Sequence, residues 1–183
     1  MTDFLIYTLE TAPEAAKPAL AGLKAAFGLI PNIAGAMAGS PVLVSCLAAV
    51  FEKVHGGSFS ESQIQALLLT NAVTNASEWP VAFHSCLARQ QGMSQADVDA
   101  IRNRRLPSDP KAAALSRLAR TLIETRGKIA QVDIDLFLEA GFTQEHLLEV
   151  IAVVAASTIT NYTGSVARPV LEAPFDEFAW TAA

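Results

Sequence analysis

Residues 60–92 read SESQIQALLLTNAVTNASEWPVAFHSCLARQQG, and this stretch decides the fold. Ser60-Glu61-Ser62-Gln63 is a capping box, in which a serine and a glutamine side chain each satisfy the other's unpaired backbone amide. Ile64, Leu67, Leu68 and Val73 then recur at helical spacing, so a helix runs to the polar break Asn75-Ala76-Ser77-Glu78. Proline has no backbone N–H and is tolerated in a helix's first turn, so Pro80 places a second helix start near Ser77–Pro80. Gly92 suits the left-handed end of that helix. His84 falls one turn inside it, after Glu78 and Trp79. Helix N-termini carry partial positive charge and free amides, which favour anions and depress thiol pKa values. The break between the two helices is a natural seat for chemistry.

Working outward, residues 1–12 read as an extended arm, with Phe4-Leu5-Ile6-Tyr7 apolar enough to lie on the body or on a neighbour. Pro13–Phe27 forms a first helix stopped by Gly28, and Pro18 either delays its start or kinks it. A short helix follows from Pro31-Asn32 to Met37, and another from Gly39-Ser40-Pro41 to about Val54. Gly56-Gly57 turns the chain into the central pair. Beyond it, Ser94 caps a short helix, and Leu106–Pro110 is a loop. Lys111–Thr125 carries Leu115, Leu118, Leu122 and Ile123 at helical spacing. Val132–Glu139 is short, with Leu136 and Phe137 inward, and Gly141 closes it. Thr143 caps a long helix to about Tyr162, with Leu147, Val150, Ile151 and Val154 buried on more than one face. Residues 143–161 loosely echo 60–75, as an internal repeat or as chance similarity between apolar helices. The tail 165–183, with Pro169, Pro174, Phe175, Phe178 and Trp180, is too aromatic for simple disorder and should cross a groove or a partner subunit. No linker divides the chain. The expectation is one all-α domain over 1–183, of about eight helices.

The chain's 183 residues are 51% hydrophobic, and its mean hydropathy is +0.33, which favours extra burial at subunit contacts. The apolar runs Pro41–Phe51 and Val150–Ile159 fall short of the ~20 residues of a spanning helix. Met1-Thr2-Asp3 lacks the basic start of a signal peptide, so the cytoplasm is expected. A net charge of -5 gives no attraction to nucleic acid or membrane surfaces. Arg102-Asn103-Arg104-Arg105 ends a short helix, where cations complement the dipole, and a structural role is expected. Two cysteines, Cys46 and Cys86, are too few for a disulfide framework. His55, His84 and His146 show no metal-ligand pattern, so neither metal nor cofactor is called for.

The central pair resembles the core of the alkylhydroperoxidase D / carboxymuconolactone decarboxylase family. That core carries a glutamate on the first helix and Cys-x-x-Cys-x-x-x-His at the start of the second. Val81-Ala82-Phe83-His84-Ser85 and Gly92-Met93-Ser94 fit the pattern. Ile30-Pro31-Asn32-Ile33, Gly39-Ser40-Pro41, Asp109-Pro110-Lys111 through Arg126-Gly127 and Ala140-Gly141-Phe142-Thr143 extend it over roughly residues 10–178. The resemblance implies peroxidase or decarboxylase chemistry and dimers, trimers or hexamers. Aligned on His84, however, the two cysteines fall at Ser77 and Pro80 and the glutamate at Gln65. Only His84 carries over.

His84 is then either a histidine hydrogen-bonded at a helix crossing or a general acid or base in a pocket lined by Trp79, Phe83 and the Gln65 helix. Glu78, six residues earlier, is either a solvated helix-start acid or a catalytic partner reaching back from the bend. Ser77 reads best as an N-cap. Gln65, Asn71 and Asn75 either bury hydrogen bonds or contact a ligand. Cys46 looks like core, and Cys86 lies on a different face from His84. The functional expectation is thiol-independent chemistry on, or binding of, a small molecule around His84. The alternative is a non-catalytic homo-oligomer serving assembly or partner binding. A third is residual hydroperoxide reduction through a non-motif cysteine.

Overall fold

A computed structural model describes residues 4–182; residues 1–3 of the expected arm and 183 of the expected tail lie outside the described residues. Nine α-helices follow in order: α1 (Lys17–Phe27), α2 (Asn32–Met37), α3 (Pro41–His55), α4 (Glu61–Thr74), α5 (Glu78–Gln90), α6 (Gln95–Arg102), α7 (Pro110–Glu124), α8 (Gln131–Glu139) and α9 (Gln144–Ala167). Short 3₁₀ turns sit at Glu14–Ala16 and Ala173–Phe178, and no strand occurs among the described residues. The fold class is all-α, as expected.

The middle of the molecule is α4. Every residue from Ile64 to Val73 is buried, which requires neighbours on all sides of the helix. Those neighbours are α3, α5, α6, α7 and α9. The capping box forms in full: Ser60 N–H donates to Gln63 Oε1 at 2.9 Å, and Gln63 N–H to Ser60 Oγ at 3.4 Å. The same device opens α9, where Thr143 Oγ1 accepts from His146 N–H and His146 Nδ1 accepts from Thr143 N–H. Ser40, Ser94 and Asp109 side chains cap α3, α6 and α7.

The break between α4 and α5 is tight. Ser77 N–H reaches Ala72 O and Ala76 N–H reaches Val73 O, a Schellman pair that forces Ala76 to φ +52°. Ser77 occupies the N-cap position, but its hydroxyl does not cap α5. It donates instead to the Asn161 carbonyl of α9 at 3.0 Å. Helix α9 approaches this closely because residue 164 has no side chain. A Cβ there would lie 2.8 Å from Ser77 Oγ and 3.2 Å from Pro80 Cδ. Gly164 is therefore a packing residue inside α9, not its stop, and the helix runs past the expected Tyr162 to Ala167.

Of the two readings of Pro18 the delayed start holds: α1 begins at Lys17 after a 3₁₀ turn. Three further expectations are corrected. Leu136 and Ile151 are exposed, because α8 buries only Phe137 and α9 turns Val150 and Val153 inward instead. Cys46 is exposed on α3 rather than in the core. By length and hydropathy α9 could cross a bilayer. It packs here against α2, α3, α4, α5 and α7 as a core helix.

The tail does cross a groove. Glu172 accepts from Asn32 N–H at 2.6 Å and from the Trp79 indole N–H at 2.9 Å, joining the start of α2 to α5. Arg102 donates to the carbonyls of Phe178 (2.9 Å) and Ala179 (2.8 Å), so the basic cluster has the expected structural role. Between these anchors Phe175 is buried against Trp79 and Phe83.

Two substitutions test the α4–α5–α9 junction with opposite signs. Gly164→Ala should lower stability by about 1–3 kcal/mol through overpacking. Ala76→Gly should raise it by about 1 kcal/mol, because glycine adopts positive φ without the clash of a Cβ. Urea unfolding reads both, and a neutral Gly164→Ala would mean that α9 can retreat from Ser77 at no cost.

Candidate functional site

Glu61 and Gln65 lie one turn apart on one face of α4, and both face an open cleft of about 1010 Å³. Its walls are apolar: Leu23 and Phe27 from α1, Phe51 from α3, Phe83 and Leu87 from α5, and Phe175 from the tail. Behind Phe83 is a second void of about 30 Å³, lined by Phe27, Phe51, Trp79, His84 and Thr160 among others. It has room for about one water. Phe83 separates the two spaces, stacked on Trp79 at 4.9 Å and edge-on to Phe27 and His84 at 5.3 Å.

His84 is 2% exposed, and its Nδ1 lies 3.0 Å from Gln65 Oε1. With that carbonyl as acceptor, Nδ1 carries the proton. Burial in this aromatic shell, and secondarily the charge of His55, lowers the His84 pKa from 6.5 to about 3. At neutral pH the ring is neutral. It orients Gln65, whose amide nitrogen makes no hydrogen bond among the described residues and is the donor offered to the cleft floor. A carboxylate at position 65 would be costly to bury beside an uncharged imidazole.

A second pair stands one turn nearer the mouth. His55 Nδ1 at the end of α3 is 3.0 Å from both carboxylate oxygens of Glu61, and its ring lies 5.6 Å from that of Phe51. The sequence reading passed over this pair. Its signal was the Gly56-Gly57 turn, which returns the chain so that the last residue of α3 meets the first of α4.

Of the candidates read from sequence, Gln65, His84, Phe83 and Trp79 come together. Glu78 does not. It is the first residue of α5, exposed, and six residues before His84 is the wrong face; it lines a separate surface cavity with Pro169 and Trp180. Asn71 is fully buried, on another face of α4 from Gln65, and Asn75 Nδ2 donates to the Asn71 carbonyl. Ser77 and Pro80 are sealed between α5 and α9. Cys86 is buried at a different, polar cavity beside Arg102 and Glu177, where burial and the Glu177 carboxylate push its thiol pKa up. Neither cysteine lines the cleft. Among the described residues no three His, Cys, Asp or Glu side chains are grouped to hold a metal.

The protonation of His84 gives a stability test. The unfolded histidine binds a proton near pH 6.5 and the folded one near 3, so between those values the unfolded state holds the extra proton. Stability is therefore complete above about pH 7 and lost as pH falls, by about 3 kcal/mol at about pH 4. His84→Asn should be less stable than wild type at neutral pH, and urea unfolding should show the gap narrowing by about that amount in acid. A gap independent of pH would mean that folded His84 accepts a proton readily.

Comparison with known proteins adds the fold's relatives. No protein-family model and no curated protein sequence matches the chain. Solved structures do. The alkylhydroperoxidase AhpD core of an uncharacterized peroxidase-related protein from Ralstonia eutropha JMP134 superposes with a TM-score of 0.82 at 16% identity, over 93% of this chain and 92% of that one. A peroxidase-related protein from Silicibacter sp. TM1040 gives 0.79 at 16%, over 94% and 93%. The debrominase Bmp8 gives 0.81 at 15%, over 97% and 96%, and a cysteine-to-alanine variant of it has been solved with 2,3,4-tribromopyrrole. The helical order around a wholly buried α4, and near-complete coverage in both directions, give this chain the alkylhydroperoxidase D-like fold.

Proposed function

We propose that the cleft binds a small, largely apolar organic molecule and acts on it without a thiol. The observation that supports this most directly is the Gln65–His84 pair, which orients an amide in the floor of a cleft whose walls are mainly aromatic and aliphatic, with Glu52, His55 and Glu61 also in its lining. A halogenated pyrrole bound by a protein of the same fold suggests the ligand's size and character. Binding of 2,3,4-tribromopyrrole, followed by calorimetry, should saturate in wild type. It should weaken about tenfold or more in Ala48→Trp, which fills the cleft from its wall. Failure of wild type to bind that probe would remove this reading.

The thiol centre of the resembled family is degenerate in this reading. Hydroperoxide reduction needs a thiolate to attack and a second thiol to resolve the sulfenic acid. Ser77 and Pro80 supply neither, and Gln65 supplies no carboxylate. Turnover of an organic hydroperoxide with a dithiol reductant should stay at background in wild type and in Cys46→Ser/Cys86→Ser. Cysteine-dependent turnover would overturn this, with Cys86 the first suspect.

A homo-oligomer, and with it the assembly role, is supported by one surface. Leu148, Ile151, Tyr162 and Val166 form an exposed stripe along α9, beside exposed Val42 on α3. Sedimentation should give a species larger than 19.4 kDa. Leu148→Glu/Val166→Glu should reduce it to the monomer, and a wild-type monomer at low micromolar concentration would refute the assembly.

A further inference from the structure

We propose that His55 and Glu61 are the proton-handling pair of this cleft, and that its ligand is an apolar molecule bearing one ionisable O–H or N–H. This rests on the cleft being a small-molecule site. The geometry is that of an oriented base. A carboxylate only accepts hydrogen bonds, so the Glu61 contact at 3.0 Å puts the ring proton on Nδ1 and leaves Nε2 of the neutral imidazole with its lone pair. Glu61 is in the first turn of α4, where the helix dipole stabilises its charge, and Phe51 packs against the ring. His55 and Glu61 both line the cleft, with side chains 28% and 45% exposed, so a ligand can reach the ring.

The other groups around the cleft narrow the ligand class. His84 lies behind Gln65, in the aromatic shell, and Gln65 is a neutral amide. The remaining charged side chain lining the cleft is Glu52 on α3, and no lysine or arginine lines it. A ligand arriving as a permanent anion would meet two carboxylates, Glu52 and Glu61, in the lining, while Lys53, 4.0 Å from Glu52, is not part of that lining. One that arrives neutral and gives up its proton inside creates its own counter-ion. The ligand O–H or N–H bond breaks, its electron pair stays on the ligand heteroatom, and the proton forms a bond to His55 Nε2. The ligand anion then faces the His55 imidazolium, Glu61 remains a carboxylate that stabilises this cation, and net charge is conserved.

The test uses two probes of one shape, para-nitrophenol and its methyl ether para-nitroanisole, at a pH one unit below the phenol's own pKa. Wild type should bind the phenol about tenfold or more tightly than the ether, as a charge-assisted hydrogen bond requires. The bound phenol should show the visible phenolate band. In His55→Phe, which keeps a ring against Phe51, and in Glu61→Gln, the phenol's advantage over the ether and the band should both be lost. Equal affinity for the two probes in wild type, or a phenolate band that survives in His55→Phe, overturns the proposal and leaves the cleft reading standing. Binding of neither probe by wild type overturns both.

Discussion

Everything in this structure is arranged around a helix that water does not reach. Ten consecutive residues of α4 are buried, and three of them, Gln65, Thr70 and Asn71, carry polar side chains. A buried polar group without a partner costs about 1–3 kcal/mol. Thr70 and Gln65 find partners, whereas neither side-chain polar atom of Asn71 makes a hydrogen bond among the described residues. Thr70 donates to the Ala66 carbonyl and meets Ser116 of α7 at 2.9 Å. Gln65 takes His84 of α5. The pairing that marks the candidate site is thus also one of the contacts that fixes how α5 lies on α4. A substitution there acts on folding and on the site together.

This double duty divides the labour among the histidines. Enclosure by Trp79, Phe83 and Phe27 is what makes His84 a firm anchor for Gln65, and the same enclosure removes its capacity to carry charge near neutral pH. A group that exchanges protons must keep some contact with water or ligand. His55, at the end of α3, meets that requirement while tied to Glu61, one turn before Gln65 on α4. His84 is enclosed and serves as a hydrogen-bonding strut, while His55 keeps part of its ring open to the cleft. The two α4 side chains that hold these histidines follow the same order, with Gln65 buried and Glu61 exposed.

Much of the fold was legible because its signals are local. The capping box at Ser60, the first-turn Pro80, Gly28 and Gly92 at positive φ, and the apolar period of α7 each specify their element without reference to the remainder of the chain. His84, Gln65, Trp79 and Phe83 were legible as a group because helical spacing and the family resemblance agreed. What escaped depends on contacts distant in sequence. Glu78 reads as a partner for His84 until the start of α5 is seen to turn it outward. Ser77 reads as a cap, yet its hydroxyl is taken by a carbonyl 84 residues away. The packing role of Gly164 depends on Ser77 and Pro80, which lie far earlier in the chain. The His55–Glu61 pair was hidden by a turn, since the interval of six residues between them matches no helical or strand period.

The cleft itself is the least sequence-local feature, and the tail explains why. One wall comes from Pro174 and Phe175, about ninety residues beyond the α5 side chains they touch. What holds that wall is electrostatic. The two oxygens of Glu172 span the amide at the start of α2 and the indole of Trp79, and Arg102 grips the backbone at Phe178 and Ala179. A carboxylate at a helix N-terminus and a guanidinium on carbonyls are both charge-assisted contacts, stronger than neutral pairs of the same length. They fix a segment that has little regular structure of its own. Phe175 then completes the aromatic set of Trp79 and Phe83, edge-on to both rings. Phe175 is the one aromatic residue of the tail that lines the cleft; Phe178 and Trp180 line other surface cavities.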